Sequence, residues 1–489
     1  LKKTWSKKKK TKKKKKKKNK KIKMSDSVVF QSVVSKKPPH VVKAKGVYMT
    51  VEKNGETFEL LDGVTGAAVG ALGAGDEEVF EIINEAAKNS FYTYPSLIGN
   101  QHSENLAQFY IDHSPKGAFA SALWCCSGSE ANENAMKIIR QYWLEKGNTK
   151  KIKFMSRETS YHGFTLGALS ISSNGRAELF KDSLIDQAKC PKMPVCYPYR
   201  NQKDGQSEEE YTQELLDAAE KLIIESDPET VASIIVETLP GSSLGTVPPP
   251  KGYLPGLRRL CDKYDILFHL DEVMCGTGRS NPNGGLNCWE NFLEPGQFPD
   301  IQTVGKTLGS GYVTIAGVLV GPKVKAAYDS GSGMVIGSHT YSSHGFNCGV
   351  SLKIQEKIMS LGLTKNIFEM GNLMSQKLKD TYLGKHNIIG DVRGIGGFWT
   401  CEIVKNKETK QWFDKNLDVG HRAQEVLFEA GININGMQGC VSNKTGEGDF
   451  VFIAPSFIIT AEDVDEILSR FIKGISELEK QLITEGEWK

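Results

Sequence analysis

The stretches ILFHLDEVMCGTGRS (residues 266–280) and PDIQTVGKTLGSGY (residues 299–312) decide how the rest of this chain is interpreted. The apolar letters that open the first stretch predict a buried strand, and this strand presents Asp271 at its carboxyl end. A second short strand, at about 300–304, leads into a glycine-flanked turn that contains Lys306. The sequence therefore predicts an acid and a lysine at neighbouring strand ends.

An acid and a lysine in this arrangement suit one chemistry well. A lysine amine condenses with an aldehyde to form a Schiff base. A carboxylate can keep a pyridine nitrogen protonated, which makes the ring an electron sink. Either feature alone occurs in many α/β enzymes, but the two together describe a site for pyridoxal 5'-phosphate.

The two stretches closely resemble the signature of class III aminotransferases, which are pyridoxal-phosphate enzymes of fold type I. The family pattern is roughly DEVxxGxGR followed by PDxxxxGKxLxxGY, and its order and spacing agree with this chain. The resemblance implies that Lys306 is the catalytic Schiff-base lysine. It implies that Asp271 is the catalytic partner of the pyridine nitrogen and that Val273 packs against the ring.

Three further stretches extend the resemblance to the cofactor phosphate and ring. WCCSGSEANENAMKIIRQYW (124–143) predicts a strand, a turn and a helix, and the free amides of a helix N-terminus attract an anion. SGSEANENAMK resembles the family's phosphate loop. SRETSYHGFTLGALSIS (156–172) and VASIIVETLPG (231–241) match the family segments beside the ring. The residues implied to bind the cofactor are Ser127, Gly128, Ser129, Tyr161, His162 and Glu237.

The stretch GSHTYSSHGFNCG (337–349) resembles the family loop that carries a phosphate-binding threonine, here Thr340. In the family this threonine crosses from the partner subunit. The resemblance therefore implies a homodimer with two shared active sites.

The substrate pocket is less well marked in the sequence. FYTYPSLIGN (91–100) is predicted to be a loop, and the matching family region lines the substrate pocket, so Tyr92 and Tyr94 are candidates. Both tyrosines are explained equally well as packing aromatics. Phe164 is a third candidate, because the ornithine and acetylornithine branch usually has an arginine at this position.

The predicted fold is α/β, the pyridoxal-phosphate transferase fold type I, with a mainly parallel seven-stranded central sheet. We predict four parts: a disordered tail (1–23), an N-terminal segment with a small β-meander (24–75), a large cofactor domain (76–345) and a small C-terminal α+β domain (346–489). The Asn54-Gly55 pair predicts a hairpin turn inside the meander.

Composition limits the classes of function. The 489 residues are 39% hydrophobic and 25% charged, which suits a globular protein of two or three domains. The net charge of +4 comes from residues 1–23, which hold 16 lysines and no acid, so the body is acidic and no nucleic-acid partner is expected. The sequence contains no run of 18 apolar residues, so we expect no membrane span. Ten cysteines without CxxC spacing indicate reduced thiols, with neither a disulfide framework nor a metal site.

The lysine-rich run at 1–23 has nothing to bury and repels itself. One interpretation is a nuclear-targeting or polyanion-binding tail. We favour an extension that is not part of the native protein, because the first methionine, Met24, directly follows the run. After Met24 there is no apolar signal core and no arginine-rich amphipathic start, so we expect a cytoplasmic protein.

The predicted activity is transfer of an amino group from an amine, ω-amino acid or amino acid donor to a keto acid acceptor. Phe164, and Met274 where the ornithine branch tends to have glutamine, argue against an ornithine-type donor. Branches that act on ω-amines often carry an arginine before the final strand, and residues 431–450 contain none. Two alternatives stay open. One is a non-transaminating class III relative, a racemase, decarboxylase or lyase on the same site. The other is a binding or regulatory protein with an inactive site, against which the intact lysine and aspartate argue.

Overall fold

The computed structural model describes residues 27–30, 32–34, 37–442 and 446–489. The lysine-rich run that was predicted to be disordered lies outside these described residues. No helix within the described ranges is long and apolar enough to cross a membrane.

The strands are β1 (His40–Lys45), β2 (Tyr48–Lys53), β3 (Glu56–Asp62), β4 (Ser121–Cys125), β5 (Lys153–Arg157), β6 (Lys192–Met193), β7 (Val231–Glu237), β8 (Leu267–Asp271), β9 (Ile301–Val304), β10 (Ala316–Val320), β11 (Ile389–Ile395), β12 (Phe398–Ile403), β13 (Ile432–Asn433), β14 (Asn435–Ser442) and β15 (Glu447–Ile453).

The helices are α1 (Thr65–Ala68), α2 (Glu77–Asn89), α3 (Gln101–Asp112), α4 (Gly128–Glu145), α5 (Leu166–Ile171), α6 (Gly175–Glu178), α7 (Pro198–Asn201), α8 (Glu208–Glu225), α9 (Tyr253–Lys263), α10 (Pro322–Ser330), α11 (Gly345–Ser360), α12 (Leu363–Tyr382), α13 (Val419–Glu429) and α14 (Ala461–Thr484).

The central sheet has seven strands in the order β4-β10-β9-β8-β7-β5-β6. Strands β5 to β9 pair in parallel, while β10 runs antiparallel to both β4 and β9. The predicted mainly parallel seven-stranded sheet is therefore confirmed. The two strands predicted from the deciding stretches are neighbours, β8 and β9. Their carboxyl ends meet at one edge of the sheet, where ligands bind in open α/β folds.

Both faces of the sheet are covered, as a parallel sheet requires. Phe268 and Leu270 belong to a core with helices α3, α8 and α9, whereas Leu267 belongs to a second core with α4 and α10. Alternate residues of one strand point to opposite faces, so a continuous apolar run fills both cores. This double burial holds the strand ends in fixed positions.

The N-terminal β-meander forms as the sequence predicts. Asn54 and Gly55 both have positive φ, 57° and 86°, as a two-residue hairpin turn of type I′ requires. Strand β3 also pairs in parallel with β13, which lies far along the chain. The meander therefore shares its sheet with the C-terminal part, a link that local sequence patterns do not predict. The domain boundaries themselves stay predictions.

The C-terminal part is α+β, and Val47 and Leu61 of the N-terminal segment belong to its hydrophobic core. Its four strands pair in the order β11-β12-β15-β14. Helices α12, α13 and α14 bury apolar residues such as Met374, Leu427 and Phe471 in the same core as Val451 and Ile453 of β15. The predicted smaller α+β domain is confirmed.

Candidate active site

A cavity of about 170 Å³ opens at the carboxyl ends of β7, β8 and β9. Its walls include many of the residues that were predicted to bind the cofactor, although these come from five separate segments of the chain. The predicted residues that line the cavity are Gly128, Ser129, Tyr161, His162, Glu237, Asp271, Val273 and Lys306.

Lys306 follows β9 and begins a short 3₁₀ turn that ends at Leu308. Its φ of 49° lies in the left-handed region, which is uncommon for a residue with a side chain. Burial lowers the pKa of Lys306 to about 8, although the charges of Asp271 and Glu237 oppose this shift. At moderately alkaline pH a large fraction of such a lysine is the neutral amine, which is the nucleophilic form.

Asp271, the last residue of β8, is buried and accepts three hydrogen bonds. Nδ1 of His162 lies 2.8 Å from its Oδ2, the side-chain amide of Asn132 donates to Oδ2 at 2.9 Å, and the backbone N–H of Val273 donates to Oδ1 at 3.1 Å. Burial alone would raise the pKa of Asp271. The hydrogen bond and charge of His162 outweigh burial and lower it. Asp271 is therefore held as a carboxylate inside the fold.

Asn132 was not singled out from the sequence, yet it connects three parts of the site. It donates to the carbonyl oxygen of His162 at 2.6 Å as well as to Asp271, and it accepts from Oγ1 of Thr303 at 3.1 Å. The side chain is buried in the first half of α4. A signal was present, because an asparagine between buried alanines on the inner face of a helix needs hydrogen-bond partners.

The start of α4 forms a cradle for an anion. Gly128 and Ser129 are the first two helical residues, so their N–H groups have no partner within the helix. A Cβ atom on Gly128 would lie 2.6 Å from Cγ1 of Val273, and one on Gly163 would lie 2.7 Å from Cα of Ser129. Ser127, which was also predicted to bind the cofactor, caps the helix by accepting from the N–H of Glu130 at 3.2 Å.

Tyr161 and Glu237 form a further part of the cavity wall. The backbone N–H of Tyr161 donates to Oε2 of Glu237 at 3.4 Å, and the Ser243 hydroxyl donates to Oε1 at 2.9 Å. Burial raises the pKa of Glu237, with His162 and Arg157 acting in the opposite direction. An acid with a raised pKa therefore lies beside the aromatic wall.

The cavity fits pyridoxal phosphate. The free amides at the start of α4, where Gly128 tolerates no Cβ, suit the phosphate. The ring of Tyr161 suits a flat aromatic ring. The buried carboxylate of Asp271 suits a protonated pyridine nitrogen. A lysine amine with a lowered pKa suits the aldehyde. In this arrangement Gly128, Ser129, Asp271 and Lys306 would hold the group.

Five predicted residues do not line this cavity, and one of them is Ser127, the N-cap of α4. Thr340 and Tyr341 are exposed on the loop that leads to α11, and Tyr92 packs against Tyr341 with ring centroids 5.8 Å apart. Tyr94 is exposed on the same surface as Tyr92. Phe164 is also exposed, although its backbone N–H donates to the hydroxyl of Ser129 at 2.9 Å. Within one chain, Thr340 and the two tyrosines therefore do not contribute to the cavity.

Glu272, next to Asp271, points elsewhere. It accepts backbone N–H groups of Cys288 at 2.8 Å and Trp289 at 2.7 Å, and burial raises its pKa to about 8. Its carboxylate and the thiols of Cys275 and Cys288 lie within 4.8 Å of one another. The backbone donors already satisfy the carboxylate, so we interpret this buried group as a brace for the loop behind the cavity.

A family model and two related proteins that match this chain all indicate an aminotransferase. The family model "Aminotransferase class-III" matches residues 31–475. An uncharacterized aminotransferase of Schizosaccharomyces pombe is 34% identical over 448 residues, which cover 92% of this chain and 95% of the relative. A diaminobutyrate–2-oxoglutarate transaminase of Halomonas elongata is 30% identical over 451 residues, covering 91% and 92%.

A solved structure supports the same assignment. The omega transaminase of Pseudomonas jessenii in complex with PMP superimposes with a TM-score of 0.81 and 25% sequence identity. The match covers 91% of this chain and 93% of that structure. PMP is the amino form of pyridoxal phosphate, so this structural neighbour carries the cofactor that the cavity fits.

Proposed function

The chain belongs to the class III aminotransferases, and we propose that it transfers an amino group from an amine or ω-amino acid donor to a keto acid acceptor, using the cavity around Lys306. Class III aminotransferases depend on pyridoxal phosphate. One observation carries the assignment of the site: the Lys306 amine, whose pKa is lowered, and the buried carboxylate of Asp271 line the same cavity.

The proposed roles follow from the positions of the side chains. The cofactor, when bound, supplies an electron sink that stabilises a carbanion at the substrate carbon. Lys306 Nζ would hold the cofactor, and its free amine would serve as the general base that moves a proton at the substrate carbon. A pKa of about 8 suits this exchange, because the amine both accepts and returns the proton near neutral pH.

Asp271 is proposed to hold the proton on the pyridine nitrogen. His162 and Asn132 donate to the same oxygen of Asp271, while the other oxygen accepts from the backbone of Val273. These bonds keep the carboxylate charged and fix its orientation, so reorganisation during the reaction is small. Gly128 and Ser129 would anchor the phosphate of the cofactor.

The proposed donor is an ω-amine. Phe164, an apolar and exposed residue, occupies the position where the ornithine branch has an arginine. The Halomonas elongata relative, by its name, uses diaminobutyrate as donor and 2-oxoglutarate as acceptor. Both observations favour an ω-amine donor other than ornithine or N-acetylornithine.

We further propose a homodimer. Phe91, Leu97 and Ile336 are 80%, 81% and 66% exposed, and they lie on the two segments that meet where Tyr92 contacts Tyr341. A group of large apolar side chains on the surface marks an interaction site. The proposed occupant is a second copy, whose cavity would receive Thr340, because this threonine lies on the same surface and does not line the cavity of its own chain.

The proposed place of action is the cytoplasm, where thiols stay reduced. The cysteines within the described part of the chain are free, which supports a reducing compartment. Cell fractionation with an antibody against the protein tests this, and enrichment in an organelle would contradict it.

A donor panel tests the proposed activity. Purified protein loaded with pyridoxal phosphate is mixed with putrescine, 4-aminobutyrate, diaminobutyrate, ornithine and N-acetylornithine, and conversion of the cofactor to its amino form is followed by absorbance. Addition of pyruvate or 2-oxoglutarate should restore the first spectrum. Faster conversion with ornithine or N-acetylornithine would contradict the donor class. Substrate consumption without amine exchange would favour a non-transaminating relative.

A further inference from the structure

Amino-group transfer to a keto acid brings a carboxylate into the cavity next to the reacting carbon. Among the described residues that line the cavity, Lys306 is the one cation, and it is occupied by the reaction itself. The walls also contain Asp271 and Glu237, which do not attract an anion. The lining therefore offers the substrate carboxylate neutral donors such as Ser242 but no spare lysine or arginine, so any cationic partner lies beside it.

We infer that Arg176 binds the carboxylate of the keto acid acceptor and of amino acid donors at the mouth of the cavity. This inference rests on the proposed function and names its substrate class. The guanidinium carbon lies 5.1 Å from the ring centroid of Tyr161, a residue that lines the cavity. Arg176 is therefore one aromatic ring away from the cofactor position.

The guanidinium already hydrogen-bonds the Tyr161 side chain, and a guanidinium has further N–H donors for a ligand. Arg176 is exposed and forms no ion pair with any carboxylate in the ranges that the structure describes. Two other arginines whose charges act on the cavity are already bound: Arg157 donates to the carbonyl oxygen of Glu237 at 2.7 Å, and Arg279 donates to that of Pro455 at 2.9 Å. An arginine presents a planar fork that matches a carboxylate, so Arg176 offers a bidentate partner.

The segment that carries Arg176 is fixed to the cavity wall. Ser160 and Ser173 exchange two backbone hydrogen bonds, at 2.9 and 3.0 Å, and the Asn174 amide donates to the carbonyl oxygen of Ser160 at 3.0 Å. The Asn174 side chain also accepts from the backbone N–H of Arg176 at 3.0 Å. Arg176 is therefore held in register with Tyr161, because Ser160 directly precedes Tyr161.

A second contact orients the same segment. Phe164 and Phe180 pack edge to face with centroids 5.6 Å apart. Phe164 follows Tyr161 by three residues, and Phe180 follows Arg176 by four. This contact therefore holds the chain on the C-terminal side of Arg176 against the chain that follows Tyr161. The rim of the cavity thus presents the apolar rings of Phe164 and Phe180 beside the guanidinium of Arg176. This rim suits a carboxylate attached to an apolar chain.

The test compares an acceptor that has a carboxylate with one that does not. The amino form of the loaded protein is mixed with pyruvate or with propanal, and the loss of the amino form is followed by stopped-flow absorbance. For Arg176→Ala we expect kcat/KM for pyruvate to fall about tenfold to hundredfold, since a hydrogen bond to a charged group is lost. The rate with propanal should change less than about twofold, and Arg176→Lys should recover part of the loss.

Lys181→Ala is the matched control. Lys181 lies on the same segment and already pairs with Glu178 at 2.7 Å, so both acceptors should react as with wild type. An equal loss for pyruvate and propanal in Arg176→Ala would overturn the inference, because it would mean that the arginine merely supports Tyr161. An unchanged rate with pyruvate would overturn it as well.

A binding measurement separates this inference from the proposed function. Glutarate has two carboxylates but no keto group, so it can bind but cannot accept an amino group. Isothermal titration of the loaded protein with glutarate should give a dissociation constant that rises about tenfold or more in Arg176→Ala. If no acceptor is turned over but glutarate binding depends on Arg176, the proposed reaction fails and the carboxylate site stands. If turnover is normal and glutarate binding is unchanged in the variant, the carboxylate site fails.

Discussion

Asn132 donates its side-chain amide to Oδ2 of Asp271 at 2.9 Å, and both residues are buried. The same amide donates to the carbonyl oxygen of His162, while Oδ1 accepts from Thr303. One side chain of helix α4 therefore links the end of β8, the Tyr161 segment and β9. The position of the carboxylate depends on this link as much as on the strand that carries it.

Replacement of Asn132 with alanine should leave the His162 carbonyl without its Asn132 partner and the Thr303 hydroxyl with only a long contact, 3.4 Å, to Nε2 of His269. We expect the free energy of unfolding to fall by about 1–3 kcal/mol, the cost of unsatisfied buried polar groups. The shift of the urea midpoint at unchanged slope measures this. Asn105→Ala, at an exposed position of helix α3, is the control and should stay within about 0.5 kcal/mol of wild type. An equal, small shift for both variants would refute the proposed link.

Gly128→Ala tests the phosphate cradle. The new Cβ would lie 2.6 Å from Cγ1 of Val273, so the start of α4 must move away from the anion position. We expect the dissociation constant of pyridoxal phosphate to rise at least about tenfold, equivalent to the loss of roughly one charged hydrogen bond. Fluorescence titration measures the affinity. Gly175→Ala has open space around its Cβ and should bind normally, and equal affinity in both variants would argue against the cradle.

The pKa of Lys306 predicts how cofactor loading depends on pH. The amine must be neutral to attack an aldehyde, and burial lowers its pKa from 10.5 to about 8. The loading rate of cofactor-free protein should therefore rise with pH through about 8 and level off above it. Stopped-flow absorbance across pH 6.5–10 provides the measurement, corrected for the titration of free pyridoxal phosphate with a simple amine. A rate that keeps rising toward pH 10.5 would mean that the lysine is solvated.

Mixed dimers test whether Thr340 acts across the interface. Lys306→Ala and Thr340→Ala proteins should each have low activity at limiting cofactor. After joint unfolding and refolding, a hybrid dimer has one site with both intact residues, so about a quarter of wild-type activity should return. Asp271→Ala mixed with Lys306→Ala is the control and should recover nothing, because both changes lie in the chain's own site. No recovery in the first mixture would place Thr340 outside the partner's site.

The strands that present the catalytic pair were predictable because their sequence is simple. A continuous apolar run that ends at Asp271 leaves a parallel-sheet strand as the natural interpretation, and β8 ends at that residue. The Asn54-Gly55 turn was predictable for a similar reason, since both residues accept positive φ. Local chemistry was sufficient in each case.

Contacts between distant segments were not predictable in this way. Asn132 binds partners 30 and 139 positions away, and Arg176 reaches Tyr161 through a short turn with no strong periodicity. The pairing of β3 with β13 likewise joins the two ends of the chain. Such contacts depend on how complete elements pack, so a single sequence shows the polar residues but not their partners.

The most direct test of the central claim is to locate the covalent link between cofactor and protein. Protein loaded with pyridoxal phosphate is reduced with borohydride, digested and analysed by peptide mass spectrometry. We expect one modified peptide with the cofactor on Lys306, and no modification in Lys306→Ala. Modification of another lysine in the wild type, or an unchanged yield in the variant, would contradict it.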